Sequence, residues 1–285
     1  MHLPDGIMSG HAEIVAGVAV AGGLAVAARA AGAELRSLPT GRVAAVGALV
    51  FAGQMVNIPV ATGTSGHLIG AALAVALLGP AVGVLTVAAV IVVQALAFAD
   101  GGVSSLGLNV LNMAIVPALA AWWALRRTDG NLAIAAGLSV LAAATAFSVQ
   151  YALAGLGEAS AAAVAGQMLV VHLPIAALEV VLTLAAVAAI GRIDLRPGLV
   201  VVGALGVAAV VAPWASGSPD GLERVAIDRG FASLAGSHPL DGSPVADYLL
   251  RGVAAEPLAV ALAGIAGVAM ILAVLGSAER LLRRT

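Results

Sequence analysis

Nine apolar segments divide the chain and leave little room for any fold other than a set of membrane helices. They cover residues 12–31, 42–60, 67–79, 80–99, 106–125, 131–154, 164–190, 198–214 and 257–276. Most approach the about 17–25 residues that a helix needs to cross the hydrocarbon core. Because 61% of the 285 residues are hydrophobic and only 10% are charged, a soluble domain could not bury this much apolar surface. The sequence therefore predicts an all-α fold, a polytopic membrane helical bundle of about seven helices plus two appended transmembrane helices.

The third segment, 67–79, is too short to cross a membrane alone. It ends at Gly79, and Pro80 then begins the fourth segment. Proline is tolerated in the first turn of a helix. We therefore expect a short helix that enters from one face and turns tightly into the fourth segment.

Arginine positions predict the orientation of these helices. If the N-terminus is outside and each segment crosses, ten arginines lie inside and three outside, as the positive-inside rule requires. The inner set is Arg29, Arg36, Arg42, Arg126, Arg127, Arg192, Arg196, Arg280, Arg283 and Arg284, and the outer set is Arg224, Arg229 and Arg251. The N-terminus and the loops 61–67, 100–102, 155–163 and 215–256 are then expected to share the outer face. We expect a multi-pass protein of the cell (cytoplasmic or inner) membrane.

A change of pattern near residues 191–197 predicts two domains, 1–191 and 192–285. Seven apolar segments with short connections precede it, and two segments joined by the polar loop 215–256 follow it. The acidic residues of that loop are Asp220, Glu223, Asp228, Asp241, Asp247 and Glu256. A helix, a long outer loop and a second helix are typical of an appended small subunit.

Missing residue types exclude several kinds of chemistry. The chain has no cysteine, so disulfides, thiolate metal sites and cysteine nucleophiles are excluded. All thirteen basic residues are arginine, and a P-loop ATPase requires a lysine. No histidine pair has the H-E-x-x-H spacing of a zinc protease. A net charge of −2 does not indicate nucleic acid, and we expect no nucleic-acid partner. Residues 1–11 lack the regions of a signal peptide, so we expect the first residues to stay attached.

The first two residues, Met1 and His2, offer three nitrogens in a row. These are the α-amine, the amide nitrogen of His2 and its imidazole, which together can close fused chelate rings around one ion. Such a nitrogen-rich, tetragonal set suits Ni(II), Cu(II) or low-spin Co(II), and one more nitrogen would complete the plane. The alternative interpretation is an ordinary, frayed terminus.

A dense polar cluster interrupts the apolar pattern in Q-M-V-N-I-P-V-A-T-G-T-S-G-H-L-I-G, residues 54–70. Its polar members are Gln54, Asn57, Thr62, Thr64, Ser65 and His67. Polar residues in membrane segments are costly and often functional. We predict that His67 opens the short helix on the outer side and supplies the fourth nitrogen. The alternative is a buried histidine that hydrogen-bonds to a neighbouring main chain.

Other polar residues in the apolar segments have weaker assignments. His11 either helps to orient a ligand or lies at the membrane interface. His172 and Glu179 lie two turns apart on one helical face and are expected in helix packing or subunit contacts. Asn109 and Asn112 share a face and either hydrogen-bond across helices or support a binding site.

Four motifs in order carry a family resemblance over about residues 1–190. They are M-H-L-P-D-G, N-I-P-V-A-T-G-T-S-G-H-L-I-G, Q-A-L-A-F-A-D-G-G and N-V-L-N-M-A. This series resembles the CbiM/NikM family, the substrate-binding membrane subunits of cobalt and nickel energy-coupling-factor (ECF) transporters. The later motif S-P-D-G-L-E, residues 218–223, resembles the PDGLE domain, an accessory subunit that some of these transporters carry separately. The chain therefore resembles a fusion of the two.

The resemblance implies a planar four-nitrogen metal site. Its ligands here would be the Met1 amine, the His2 amide and imidazole nitrogens, and the His67 imidazole. Supporting residues are expected at His11, Asn57, Thr64, Ser65 and Asn109.

The resemblance also implies a function, the ATP-driven uptake of Co²⁺ or Ni²⁺, with cobalt serving cobalamin biosynthesis. The ion is the transported substrate, and no resident cofactor is expected. The implied partners are a coupling membrane subunit and ATPase subunits on other chains, in surrounding lipid.

Two other function classes are alternatives for this chain. An ion-coupled secondary transporter of a divalent metal would use His172 and Glu179 as a proton relay. A membrane enzyme would use His67, His172 and Glu179, but no recognisable catalytic spacing supports it, so we expect no enzyme. The sequence does not separate cobalt from nickel, because both ions accept this ligand set.

Overall fold

A computed structural model describes residues 1–61, 63–192 and 196–283, except the side chain of Arg192. Three elements of the sequence predictions lie outside the described residues: Thr62 of the polar cluster, Arg284 of the inner arginines, and residues 193–195 of the predicted domain junction.

Helices account for most of the described chain. In order, the α-helices are α1 (Gly10–Ser37), α2 (Arg42–Gln54), α3 (Ala71–Leu78), α4 (Pro80–Phe98), α5 (Leu106–Val110), α6 (Val116–Arg127), α7 (Leu132–Ala154), α8 (Ala161–Arg192), α9 (Pro197–Gly206), α10 (Gly221–Asp228) and α11 (Glu256–Leu282). The π-helix Leu111–Ile115 joins α5 to α6, and a second π-helix, Val207–Val211, extends α9 into the 3₁₀ turn Ala212–Trp214. Further 3₁₀ turns are Ala232–Leu234 and Ala246–Tyr248, and two short strands are β1 (Ile58–Ala61) and β2 (Thr64–Gly66).

Seven helical stretches among the described residues are long and apolar enough to cross a membrane. They are Gly10–Ser37, Pro80–Phe98, Leu106–Arg127, Leu132–Ala154, Ala161–Gly191, Pro197–Trp214 and Glu256–Leu282. The predicted all-α, polytopic membrane bundle is confirmed. The other two predicted segments give shorter helices: α2 has 13 residues and α3 has eight, or about 20 Å and 12 Å of helix.

The prediction of one apolar membrane segment over residues 42–60 was wrong at its carboxyl end. There α2 stops early, and the chain forms an antiparallel hairpin in which Pro59 lies opposite Ser65. Proline has no N–H for a helical hydrogen bond, and the β-branched Ile58 and Val60 beside it favour an extended chain. His67 follows the hairpin and does not open the short helix, because α3 begins only at Ala71.

Small residues bring the last helix, α11, close to α2. A Cβ at Gly267 would overlap the ring of Phe51, and one at Gly47 would overlap Leu275. Close backbone approach at small residues is a usual way to pack membrane helices. The carboxy-terminal region is therefore built into the bundle through α11.

Acidic side chains cap helices at one end of the bundle. Glu34 accepts hydrogen bonds from the backbone of Ala81 (3.1 Å) and Val82 (2.8 Å) at the start of α4. Glu279 accepts from the Gly41 N–H at 3.2 Å at the start of α2, and it also pairs with Arg283 at 2.8 Å. The N-terminus and the loops predicted to be outer meet at the opposite end. Which membrane face each end contacts stays a prediction.

Candidate metal centre at the amino terminus

The first nine residues pack into the helical bundle. Met1, Leu3, Ile7 and Met8 are all at most 5% exposed. Burying a side chain of this size stabilises the segment by about 1.5–3 kcal/mol relative to leaving it in water. The described terminus is therefore not a frayed one.

Asn109 fixes the register of this segment. Its Oδ1 accepts a hydrogen bond from the Leu3 main-chain N–H at 2.7 Å, and its Nδ2 donates to the Leu3 carbonyl at 2.9 Å. The Gly102 N–H also donates to the Leu3 carbonyl at 2.9 Å. One amide thus satisfies both main-chain groups of a buried residue, so the segment cannot slide without losing both bonds. Asn109 lies just before the π-helix Leu111–Ile115, a local irregularity common at functional sites.

The carboxylate of Asp5 makes a second attachment. It accepts hydrogen bonds from the Val103 N–H (3.1 Å), the Ser104 hydroxyl (2.8 Å) and the Ser105 N–H (2.9 Å). A Cβ at Gly102 would overlap Asp5, so this approach requires glycine there. Gly102 and the three residues that follow it therefore form the docking surface for the amino-terminal turn.

These attachments place the Met1 amine against His67. The amine nitrogen lies 3.0 Å from His67 Nε2 and 2.5 Å from Asp220 Oδ2. The other ring nitrogen, His67 Nδ1, lies 3.0 Å from the Leu68 carbonyl oxygen. Because a carbonyl only accepts, Nδ1 carries the hydrogen, and the Nε2 lone pair faces the amine.

The imidazole of His2 lies beside that of His67 but is turned away from the amine. The two rings stack with their centroids 5.7 Å apart. His2 Nδ1 lies 3.1 Å from Asp100 Oδ1, and Nε2 lies 3.2 Å from the side-chain amide of Gln94. Both ring nitrogens of His2 are therefore engaged outside the contact of the amine with His67.

The protonation of His2 decides how Gln94 is oriented. Burial lowers the pKa of His2, and Asp100 offsets this only in part. A neutral ring has one N–H, which donates to Asp100, so Nε2 must accept. The amide NH₂ of Gln94 then faces His2, which also gives a partner to Gln94 Nε2, a buried atom without one in the opposite orientation.

The electrostatics favour a free lone pair on His67 and a charge on Asp220. Burial, followed by the charge of the amino terminus and the neighbouring His2, lowers the pKa of His67 to about 3. Burial alone would raise the pKa of Asp220, but the amino terminus and His67 outweigh it and hold that pKa well below its usual range. At neutral pH the amine therefore lies between a neutral imidazole and a carboxylate.

The sequence did not predict Asp220 at this centre. It placed Asp220 only among the acidic residues of the polar loop 215–256. Asp220 caps α10 by accepting from the Glu223 N–H at 2.9 Å. The preceding residues dock on β2: Ser65 donates its N–H to the Pro219 carbonyl (2.9 Å) and its hydroxyl to the Ser218 carbonyl (2.7 Å). Its place in S-P-D-G-L-E, in a loop expected on the face of Met1, was the available signal.

The next residue, Gly221, docks the same motif on α8. A Cβ at Gly221 would lie 2.8 Å from His172 Cε1 and 2.7 Å from Ile175 Cδ1. His172 Nδ1 also bonds the Met168 carbonyl at 2.7 Å. The expected packing role of His172 is thus a contact with the carboxy-terminal region.

Glu179 has a separate role from His172. Its carboxylate accepts from the Ile69 N–H (2.6 Å) and the Gly70 N–H (2.9 Å), which caps α3 just after His67. No hydrogen bond joins Glu179 to His172 within the described residues, so the relay needed by a secondary transporter gains no support.

The remaining predicted supporting residues differ in their distance from the centre. Asn57 lines the cavity beside it, Thr64 is buried in β2, and His11 is exposed in the first turn of α1. No group of three His, Asp or Glu side chains is placed to hold an ion in the described ranges. The terminal amine and the main chain are the further nitrogen donors beside His2 and His67 in the predicted ligand set, which stays a prediction.

Spanning helices around a buried polar centre at one end define this chain as a multi-pass membrane protein. A sequence profile described as CbiM, cobalt uptake substrate-specific transmembrane region, matches residues 2–197. A PDGLE domain profile matches residues 198–284. The chain belongs to the CbiM family and carries a carboxy-terminal PDGLE domain, so the resemblance drawn from its motifs is confirmed. This is a transport family and not an enzyme family. The domain boundary at 191/192 stays a prediction.

Individual relatives agree with this assignment. A cobalt transport protein CbiM of Clostridioides difficile is 33% identical over 197 residues, which are 64% of this chain and 79% of that protein. A putative fused nickel transport protein NikMN of Archaeoglobus fulgidus is 41% identical over 133 residues, 45% of this chain and 43% of that protein. A putative metal transport protein of Haloquadratum walsbyi is 45% identical over 42% of this chain and 55% of its own length. The chain thus spans about half the length of the latter two relatives.

A solved structure shares the fold. The crystal structure of a transition metal transporter is 27% identical, with a TM-score of 0.59, and the match covers 68% of this chain and 94% of that one.

Proposed function

We propose that the chain is the substrate-binding membrane component of an ATP-driven ECF uptake transporter for Co²⁺ or Ni²⁺. In this proposal it captures the ion at the outer face through Met1, His2 and His67. The observation that carries the proposal is the 3.0 Å contact between the Met1 amine and His67 Nε2, two nitrogens separated by 66 positions in sequence.

The spacing of these nitrogens suits adjacent metal ligands. With metal–nitrogen bonds of about 2.0 Å, neighbouring donors in a planar site lie about 2.8 Å apart. The amine and His67 Nε2 already lie close to that separation, and the Nε2 lone pair faces the amine. An ion can therefore bridge them without a large movement of the main chain.

His2 must turn for the proposed chelate to close. Its Nδ1 is the imidazole nitrogen that forms a six-membered ring with its own amide nitrogen through the metal. That nitrogen now lies against Asp100, so the ion replaces Asp100 as its partner. The bound amine keeps an N–H for Asp220, which then orients a ligand from outside the coordination shell.

Nucleotide hydrolysis belongs to other chains in this proposal. The chain has no lysine and therefore no P-loop. The names of its relatives, cobalt transport protein and fused nickel transport protein, support a first-row divalent cargo, and cobalt cargo would serve cobalamin biosynthesis. Capture at the outer face of the cytoplasmic membrane requires the N-terminus outside, as the arginine distribution predicts.

Adding one alanine before Met1 tests the ligand set. Extension moves the α-amine away from His67 and turns the old amine into an amide. We expect Ni²⁺ and Co²⁺ to bind the unextended chain with the d–d spectrum of a planar nitrogen site, and the extended chain about 100-fold or more weakly. Calorimetric titration and visible spectra measure both quantities. An extended chain that binds with the same spectrum and affinity would refute the ligand set.

A further inference from the structure

Two tryptophan–arginine pairs lie side by side at the carboxyl end of α6, and we call them the α6 patch. Arg126 Cζ lies 5.2 Å from the ring centroid of Trp122, and Arg127 Cζ lies 5.9 Å from that of Trp123. Each arginine therefore stacks on the ring one helical turn before it. Helix α5 begins the same membrane span and contacts the amino-terminal segment, so the patch lies at the end of the bundle opposite the candidate metal centre.

The side chains of the α6 patch are all hydrogen-bond donors. A guanidinium and an indole carry N–H groups and have no acceptor. All four side chains are exposed, and within the described residues none of them has an ion pair or a hydrogen-bond acceptor. Asp129 in the following turn is exposed and pairs with neither arginine. The patch therefore presents two positive charges and unused donors at the surface.

Another arginine at the same end of the bundle has a different use. Arg283 pairs with Glu279 and donates to the carbonyls of Leu35 at 2.7 Å and Leu38 at 2.8 Å. It thereby ties α11 to the end of α1. The arginines of the α6 patch make no such contact between helices, so packing of the bundle does not account for them.

An apolar surface continues from the patch along the membrane span. Leu119, one turn before the tryptophans, is exposed. Ile134 and Leu138 are exposed near the start of α7, which follows after a short turn and packs against α6. Positive donors at a helix end with apolar side chains beside them match the two parts of a phospholipid, its headgroup and its acyl chains.

We propose that the α6 patch binds the headgroup phosphate of an anionic phospholipid. The guanidiniums of Arg126 and Arg127 donate to the phosphate oxygens, and the acyl chains lie against Leu119 and Ile134. A planar guanidinium matches phosphate with two parallel hydrogen bonds, and the ring beneath it holds it at the membrane interface. Two unpaired positive charges favour an anionic lipid over a zwitterionic one. This site is separate from the metal centre, so it stands or falls independently of the proposed function.

A lipid bound there anchors the span that also carries Asn109. Helix α5, the π-helix Leu111–Ile115 and α6 form that one span, and Asn109 holds Leu3 at its other end. Interfacial tryptophan and arginine residues set the depth and tilt of a spanning helix. The lipid therefore helps to fix the helix against which the amino-terminal segment is bound.

Quenching of tryptophan fluorescence by brominated lipids tests the site. The chain has three tryptophans, so Trp214→Phe leaves only those of the α6 patch. The full chain is reconstituted in phosphatidylcholine vesicles that contain a small, equal fraction of either brominated phosphatidylglycerol or brominated phosphatidylcholine. We expect the anionic quencher to associate with the patch more strongly by about 5-fold per arginine, and this preference to vanish with Arg126→Gln, Arg127→Gln.

The double variant Arg36→Gln, Arg280→Gln is the matched control. It also removes two exposed arginines from this end of the bundle, and neither of them stacks on a tryptophan among the described residues. It should keep the preference, and an unchanged emission maximum without brominated lipid shows that the rings retain their environment. Equal quenching by the two lipids would overturn the proposal and favour an acidic protein partner for the patch. Equal loss of the preference in the control would overturn it as well, because the total charge of this end would then explain the attraction.

Discussion

The CbiM region (residues 2–197) and the PDGLE region (residues 198–284) meet at the end of the bundle that holds the amino terminus, and they bring different chemical groups to it. The CbiM region brings nitrogens together, the Met1 amine and the His67 imidazole, and holds them with hydrogen bonds to buried main chain. The PDGLE region brings carboxylates, of which Asp220 contacts the amine directly. Nitrogen donors select among transition metals, whereas carboxylates attract any cation. Under the proposed function, the nitrogens that would select the ion and the carboxylates that would attract it belong to separate parts of one chain.

The largest expected effect comes from removing a nitrogen. His67→Ala should weaken Ni²⁺ and Co²⁺ binding about 100-fold or more, because one donor of four is lost and the amine loses its neighbour. Titration calorimetry measures the loss. His11→Ala removes an exposed histidine and should leave the affinity unchanged. Equal effects of the two substitutions would show that His67 is not a ligand.

Loosening the amino-terminal segment should have the next largest effect. Asn109→Leu removes two buried hydrogen bonds to Leu3, each contributing about 1 kcal/mol, so metal affinity should fall about 10- to 30-fold. Asn112→Leu is the matched control, because Asn112 also makes two side-chain bonds, at 2.8 and 2.7 Å, but to Gln150. Metal titrations of both variants in detergent, with unfolding followed in parallel, separate the site from general stability. Equal losses of affinity would show that Asn109 is only a helix-packing residue.

Removing the charge of Asp220, which contacts the Met1 amine, should lower metal affinity less than the two preceding changes. Asp220→Asn keeps the size and the helix cap but removes the charge, and we expect affinity to fall about 3- to 10-fold because the amine is less well oriented. Asp228→Asn removes an exposed acid from the same helix and should have no effect on binding. Calorimetry of the two variants decides whether the PDGLE region orients a ligand. A loss of affinity of 100-fold or more would instead indicate that Asp220 is itself a metal ligand, and the ligands would then come from both regions.

The smallest expected effect concerns the docking of the PDGLE region itself. Ser65→Ala removes the hydroxyl bond to the Ser218 carbonyl and should lower stability by about 1 kcal/mol, with little change in affinity. Ser148→Ala removes a bond within α7 only. Thermal unfolding in detergent compares the two, and proteolysis of the 215–256 loop should accelerate only for Ser65→Ala. Equal proteolysis rates would show that this bond does not hold the loop.

The membrane-spanning helices could be predicted from the sequence, because membrane thickness sets the length of the apolar segments. The spans from Pro80 and Leu132 lie within a residue or two of the apolar segments. The approach of Met1 to His67 was also predictable, since both fell on one face once arginine oriented the chain. These features depend on periodic or topological rules, which a single sequence displays.

The partners of the supporting side chains could not be predicted, because these contacts join residues that are far apart in sequence. Asn109 holds Leu3 across 106 positions, and Asp220 reaches Met1 across 219. The motif resemblance indicated Asn109 as a supporting residue, but no local pattern in the sequence pairs Asn109 with Leu3 or Asp220 with Met1. The hairpin at Pro59 likewise forms because distant segments cover it, including the Pro219 carbonyl on Ser65.

The way the centre is anchored has a mechanical consequence. Helix α8 holds His67 through the cap that Glu179 places on the next residues, and it also carries the PDGLE motif through the imidazole that packs on its glycine. The main chain that carries the Met1 amine is tied to α5, where Asn109 bonds Leu3. In the proposed function the donors are therefore held by two different helices, and a bound ion would join them. A shear of about 1–2 Å between α8 and α5 would separate the donors, so release of the ion would require a small slide and no unfolding.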